Sequence, residues 1–153
     1  RCARSPDVAD QPRRVTAHNA RILGVEAQIS ILDGDLLAPL PAAVDLIVAN
    51  LPYVPSEQVS QLEPEISIYE PREALDGGHE GLELIHRLLA DAPNAVKPNG
   101  SVLLEIAPHQ AHAASAAARK SFSAARISVL SDLAGCERVL VIETESVSQS
   151  ASD

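Results

Sequence analysis

The apolar run Val44-Asp45-Leu46-Ile47-Val48-Ala49, followed at once by Asn50-Leu51-Pro52-Tyr53, constrains the fold of this chain more than any other segment. A Val/Ile/Leu run of that length reads as a strand buried on both faces, as in parallel α/β sheets. Pro52 ends the strand, because it has no N–H for a sheet ladder and restricts the residue before it. The chain then enters a short, stiff loop at the carboxyl end of a parallel strand, where open α/β sheets bind their ligands. The loop offers the Asn50 amide, a backbone carbonyl outside any ladder, and the aromatic face of Tyr53. Together these suit a planar NH2 group, with hydrogen bonds in its plane and stacking on one side. Tyr53, Tyr69 and Phe122 are the chain's only aromatic residues, so the core must come from Leu, Ile, Val and Ala, and a tyrosine in this loop stands out.

The rest of the chain alternates helical and extended patterns. Pro12 to about Leu23 reads as a helix with proline in its first turn and Gly24 as its stop. Gln28–Leu32 is a short β-type run ending in Asp33-Gly34-Asp35. Pro55 to about Leu62 has room for one or two helical turns with Ser56 as N-cap, and a loop rich in Pro, Glu and Gly continues to Gly81. From Gly81 to Val96, the residues Leu82, Ile85, Leu88, Leu89, Ala92 and Val96 fall on one helical face. Asn99-Gly100 turns the chain into a second buried strand, Val102–Ala107. Gln110–Ser121 is an Ala-rich helix, and Ile127–Leu130 and Val139–Thr144 form an antiparallel pair at a sheet edge, joined through Gly135. This alternation makes the chain α/β. The expected organisation is an irregular segment 1–11, one domain over 12–144, and a Ser-rich, disordered tail 145–153.

Composition excludes several classes. With 21 acidic against 12 basic residues and a net charge of -9, the chain lacks the basic stripe of a nucleic-acid surface. Arg13-Arg14, the densest basic pair, fits a solvated helix face. Cys2 and Cys136 have no metal spacing around them and read as free thiols in a reducing cytoplasm. His18, His79, His86, His109 and His112 are scattered, and no metal site is expected. With no signal peptide and no apolar stretch near transmembrane length, no membrane partner is expected either.

A set of motifs narrows the reading. Gly34-Asp35-Leu36, the stretch Val44–Ser56, Tyr69-Glu70-Pro71-Arg72-Glu73-Ala74-Leu75-Asp76-Gly77-Gly78, Gly81-Leu82, Leu103-Leu104-Glu105-Ile106 and Asp132-Leu133-Ala134-Gly135 succeed one another in order. From about residue 7 to residue 143 the chain resembles the C-terminal part of the catalytic domain of the release-factor glutamine methyltransferases (HemK/PrmC family). The resemblance implies a class I S-adenosylmethionine-dependent methyltransferase fold, a Rossmann-like, mostly parallel seven-stranded sheet with flanking helices. It implies methylation of the side-chain nitrogen of the Gly-Gly-Gln glutamine in peptide chain release factors. On that basis Asn50, Pro52 and Tyr53 are the expected catalytic residues. Asn50, Leu51, Pro52, Tyr53, Glu70 and Pro71 would bind substrate, and Asp7, Asp35, Leu36 and Asn50 would bind the cofactor. Asn50 would accept one hydrogen of the substrate amide, the carbonyl of Leu51 the other, and Tyr53 would pack on the flat amide. Asp7 reads equally as a solvated aspartate, Asp35 as a loop or helix cap, and Glu70, Pro71 and Arg72 as a purely structural turn.

Two departures stand out. Leu51 replaces the first proline of the family's Asn-Pro-Pro-Tyr, a position used through its carbonyl, which leucine also has. Residues Arg1–Pro6 hold neither the family's Gly-rich turn nor an apolar strand, so the fold is expected to be incomplete at its N-terminal end. The expected consequence is a marginally folded chain that self-associates and binds S-adenosylmethionine weakly or not at all. Two alternatives stay open: a methyltransferase for an amino group on a nucleic-acid base, where the same geometry would suit a flipped base, and a non-catalytic remnant that holds a glutamine-bearing partner.

Overall fold

The computed structural model describes the backbone of residues 6–145 and the side chains of residues 12–145. Residues 1–5, most of the 145–153 tail, Cys2 and the side chain of Asp7 lie outside the described residues. The chain divides into two units, residues 1–39 and 40–153.

In the first unit, helix α1 spans Pro6–Ile22. It starts six residues before the expected position, and part of the segment expected to be irregular is helical. Both Pro6 and Pro12 satisfy the rule that proline suits a first turn, so proline alone does not choose between them. Pro12 lies inside the helix, and its carbonyl accepts a hydrogen bond from Thr16 Oγ1 at 2.8 Å. Arg13 pairs with Asp33 at 2.6 Å. The expected strand over Gln28–Leu32 does not form: Glu26–Gln28 is a 3₁₀ turn, and the residues after it are in no strand. Extended backbone becomes a strand only where a neighbour completes its ladder, and no described strand does so. Ile29, Ile31 and Leu32 consequently remain exposed.

The second unit is built on a four-stranded sheet. Its elements are β1 (Val44–Ala49), the short helices α2 (Pro64–Ser67) and α3 (Arg72–Leu75), helix α4 (Glu83–Ala95), β2 (Val96–Glu105), helix α5 (Ala111–Ser121), β3 (Arg126–Ser131) and β4 (Glu137–Glu143). The strand order is β1-β2-β4-β3. β1 and β2 are parallel, with Ile47 opposite Val102 and Ala49 opposite Leu104. β4 runs antiparallel to β3, as the sequence leads one to expect, and also antiparallel to β2, a pairing the sequence does not indicate. β2 starts earlier than its apolar run. It passes through Asn99, with φ of 60°, and the register against β1 jumps between Val44 and Leu46, so the Asn99-Gly100 turn is a bulge within a strand.

Packing obeys the pleat. Val102 and Leu104 of β2 and Leu140 and Ile142 of β4 are fully buried, together with Ile85 and Leu89 of α4 and Ala114 and Ala118 of α5. The alanines let α5 approach the sheet closely, and the apolar face of α4 is the one its periodicity marks.

β1 departs from expectation. It was expected to be buried on both faces, yet only Ile47 is buried, while Leu46 is 53% and Val48 70% exposed. The cause is position: β1 is an edge strand, and an apolar run says nothing about how many faces are covered. An open apolar edge is an association hazard. Val48→Lys is expected to reduce concentration-dependent self-association in analytical ultracentrifugation while changing stability by less than about 0.5 kcal/mol, since the site is exposed. Undiminished association would place the contact elsewhere.

Candidate active site

The loop Asn50–Tyr53 leaves the carboxyl end of β1, as its proline requires. Asn50 is exposed, and among the described residues its side-chain amide has no hydrogen-bond partner. Leu51, Pro52 and Tyr53 are half-buried. Among the described residues no backbone N–H donates to the Leu51 carbonyl. Among the described residues, two acceptors on adjacent residues thus remain unsatisfied, beside a tyrosine held by one hydrogen bond. The Tyr53 hydroxyl donates to Glu105 Oε1 at 3.3 Å. Burial, then the Glu105 carboxylate, push the Tyr53 phenol above its usual range, with Arg138 opposing. Tyr53 therefore keeps its proton at neutral pH and can hold that bond.

The Asp76-Gly77-Gly78 segment forms the back of this loop. Val54 N–H donates to the Leu75 carbonyl at 3.0 Å, Gly77 N–H to the Val54 carbonyl at 2.8 Å, and Ser56 N–H to the Gly78 carbonyl at 3.1 Å. A Cβ on Gly77 would sit 2.6 Å from the Pro52 carbonyl oxygen and 2.8 Å from the Tyr53 Cα, so only glycine lets the two segments lie this close. Gly81 is tighter still: its Cβ would fall 2.0 Å from the Tyr53 carbonyl oxygen.

Asp76 ties the segment together. Its carboxylate accepts from Ser56 Oγ at 2.5 Å, from Gly78 N–H at 3.0 Å and from Arg72 Nε at 3.0 Å. The Ser56 hydroxyl, more than any other group, holds the Asp76 carboxyl below its usual range, assisted by Gly78 and Arg72. A depressed folded-state pKa stabilises above the unfolded value of about 3.9 and loses that contribution as pH falls through the folded pKa. Asp76→Asn is therefore expected to lower the urea midpoint at about pH 7, with the gap to the native chain narrowing toward about pH 3. A gap independent of pH would mean the carboxylate charge is not what holds the turn.

The other expected residues belong to other elements. Glu70 and Pro71 are exposed. Pro71 caps the start of α3, and among the described residues no hydrogen bond links either to Asn50–Tyr53. Asp7 lies in the first turn of α1, not at the end of a strand. Asp35 comes after the unpaired stretch, and Leu36 has φ of 47°. All three belong to the first unit, and Asn50 to the second. Sequence reasoning assigned no site role to Glu105, Gln110, Gly77 or Gly81. The glycines stood in a motif, but what they face is invisible in one dimension. Ser56, expected as an N-cap, instead serves Asp76. Among the described residues no group of three His, Cys, Asp or Glu is disposed to hold a metal ion, and no helix is long and apolar enough to cross a membrane.

No protein-family model matches the chain. It is 36% identical over 134 residues to a release factor glutamine methyltransferase of Cereibacter sphaeroides, covering 88% of this chain and 48% of that protein. A protein of the same name from Gloeobacter violaceus is 32% identical over 136 residues, with 88% and 48% covered. One from Rhodospirillum rubrum is 40% identical over 105 residues, with 69% and 32% covered. Among solved structures, a ribosomal protein L11 methylase from Lactobacillus delbrueckii subsp. bulgaricus matches 84% of this chain and 50% of its own, with a TM-score of 0.54 at 20% identity. That likeness shows the fold alone. The chain spans about half the length of the curated relatives it matches. By sequence, over that shared half, it belongs to the release factor glutamine methyltransferase family.

Proposed function

We propose that this chain carries the substrate-holding half of a methyltransferase catalytic domain. The substrate is the side-chain amide of the Gly-Gly-Gln glutamine of a peptide chain release factor, and the methyl donor is S-adenosylmethionine. The observation that carries this reading is the exposed, unpartnered Asn50 amide beside the open Leu51 carbonyl, at the end of a parallel strand and next to a fixed tyrosine. An amide nitrogen is a weak nucleophile because its lone pair is delocalised. Its two hydrogens lie in one plane, and Asn50 Oδ1 and the Leu51 carbonyl can accept one each. The Tyr53 ring then covers one face of that plane and leaves the other for the incoming methyl group. Holding a poor nucleophile in this way can contribute about 7–11 kcal/mol to a barrier.

The cofactor is less well served. S-adenosylmethionine, when bound, supplies an electrophilic methyl group. The family resemblance takes its adenine contact from residues that follow a strand, whereas Asp35 follows a stretch in no strand. That mismatch supports a second reading, in which this chain holds a glutamine-bearing partner and does not itself transfer the group.

The test is to incubate the chain with a methyl-labelled donor and either a release factor or adenine-containing single-stranded DNA. Label on the release-factor glutamine supports the proposal. Label on the base would move the substrate to nucleic acid, and release-factor binding without label would establish the second reading.

A further inference from the structure

Gln110, immediately before α5, is the sole buried polar or charged side chain among the described residues, at 1% exposure. A buried amide is costly unless every polar atom finds a partner, and here each does. Oε1 accepts from the Ala107 N–H at 3.1 Å. Nε2 donates to the Tyr53 carbonyl at 3.0 Å and to the Glu80 carbonyl at 3.2 Å. A side chain that only filled space would serve better as leucine or methionine, without any hydrogen bonds to satisfy. The surroundings are shaped to this contact as well. A Cβ on Gly81 would sit 2.6 Å from Nε2 and 2.0 Å from the Tyr53 carbonyl oxygen, so the bridge exists only because residue 81 is glycine.

We infer that Gln110 is the positioning residue of the amide-holding loop. By giving its two Nε2 hydrogens to the carbonyls of Tyr53 and Glu80, it clamps the loop against the 3₁₀ turn His79–Gly81 that precedes α4 and holds Asn50 and Leu51 in their presenting geometry. The clamp is a property of this chain alone. Its catalytic consequence rests on the proposed function.

Tyrosine spectroscopy reads the clamp directly. The chain has two tyrosines and no tryptophan, so Tyr69→Phe leaves Tyr53 as the single phenol. Its ionisation is set by burial, Glu105 and Arg138, all of which depend on where the loop lies. In that background Gln110→Glu keeps the size of the side chain and its acceptor for Ala107, but when ionised it turns an oxygen toward two carbonyls. The phenol is expected to titrate closer to the ordinary value of about 10, and methyl transfer to release factor to fall at least about tenfold in kcat with a smaller change in KM. A folded Gln110→Glu chain with an unmoved Tyr53 titration would overturn the clamp.

If that variant does not fold, NMR of the unsubstituted chain decides. The Gln110 side-chain NH2 is expected to be protected from solvent exchange, and exchange as fast as that of the exposed Gln61 would overturn the clamp. A moved Tyr53 titration with no methyl transfer by any form leaves the clamp and removes the functional reading. Unchanged titration with active enzyme does the reverse.

Discussion

Replacing Asn50 with alanine is expected to lower methyl transfer to the release-factor glutamine by about 10²–10³-fold, the usual loss when one preorganised polar partner of the reacting group is removed. The fold should not notice. Asn50 is exposed and makes no hydrogen bond among the described residues, so stability should change by less than about 0.5 kcal/mol. That separation between a large kinetic effect and a flat denaturation curve is the signature of a group that acts only on substrate. Without Oδ1 the substrate NH2 keeps one acceptor, the Leu51 carbonyl, and can rotate about it, so the nitrogen lone pair is no longer aimed. Asn50→Asp keeps an oxygen in place and should retain more activity than alanine. Quantifying labelled methyl on the glutamine by mass spectrometry, alongside a urea melt, checks both halves. A loss below about threefold would mean that Asn50 does not touch the reacting amide.

Gly81→Ala is expected to be the most destabilising small substitution in residues 40–153, at about 3 kcal/mol or more. Two costs combine. Gly81 has φ of +70°, and a side chain in the left-handed region costs about 1–2 kcal/mol. The new methyl would also meet the Tyr53 carbonyl oxygen at 2.0 Å and Gln110 Nε2 at 2.6 Å, which forces apart a buried hydrogen bond worth about 1–3 kcal/mol once its partners are stranded. Gly135 is the internal control. Its φ is +81° with nothing within 4 Å of an added Cβ, so Gly135→Ala carries the conformational cost alone. Unfolding free energies from urea melts of the two variants should therefore differ by about 2 kcal/mol. Equal costs would show that the Tyr53 loop is not seated on Gly81.

Much of this arrangement was legible beforehand. The Asn50–Tyr53 loop could be placed at a strand end because an apolar run and a proline are local facts. Helix α4 could be read because Ile85, Leu88, Leu89 and Ala92 repeat at helical spacing, and the β3–β4 pair because Gly135 separates two β-type runs. The misreadings share a cause. An extended stretch such as Ile29–Leu32 looks like a strand from its residues, but a strand is a relation between two segments. The exposure of Leu46 and Val48 likewise depends on what lies beside β1, not on β1 itself.

Residue order alone set the four strands of the sheet, helices α4 and α5, the family, and the identity of the loop offering an amide and an aromatic ring, since these depend on spacing and residue type along one line. Folding in three dimensions chose the residues that hold that loop: Gly77 and Gly81 as the surfaces it lies on, Glu105 behind Tyr53, and Gln110 across two carbonyls. Those partners stand between 24 and 57 residues from the groups they contact. Hydrogen bonds of about 3 Å and close approaches permitted only by glycine arise where separate segments meet, and no local pattern records that meeting.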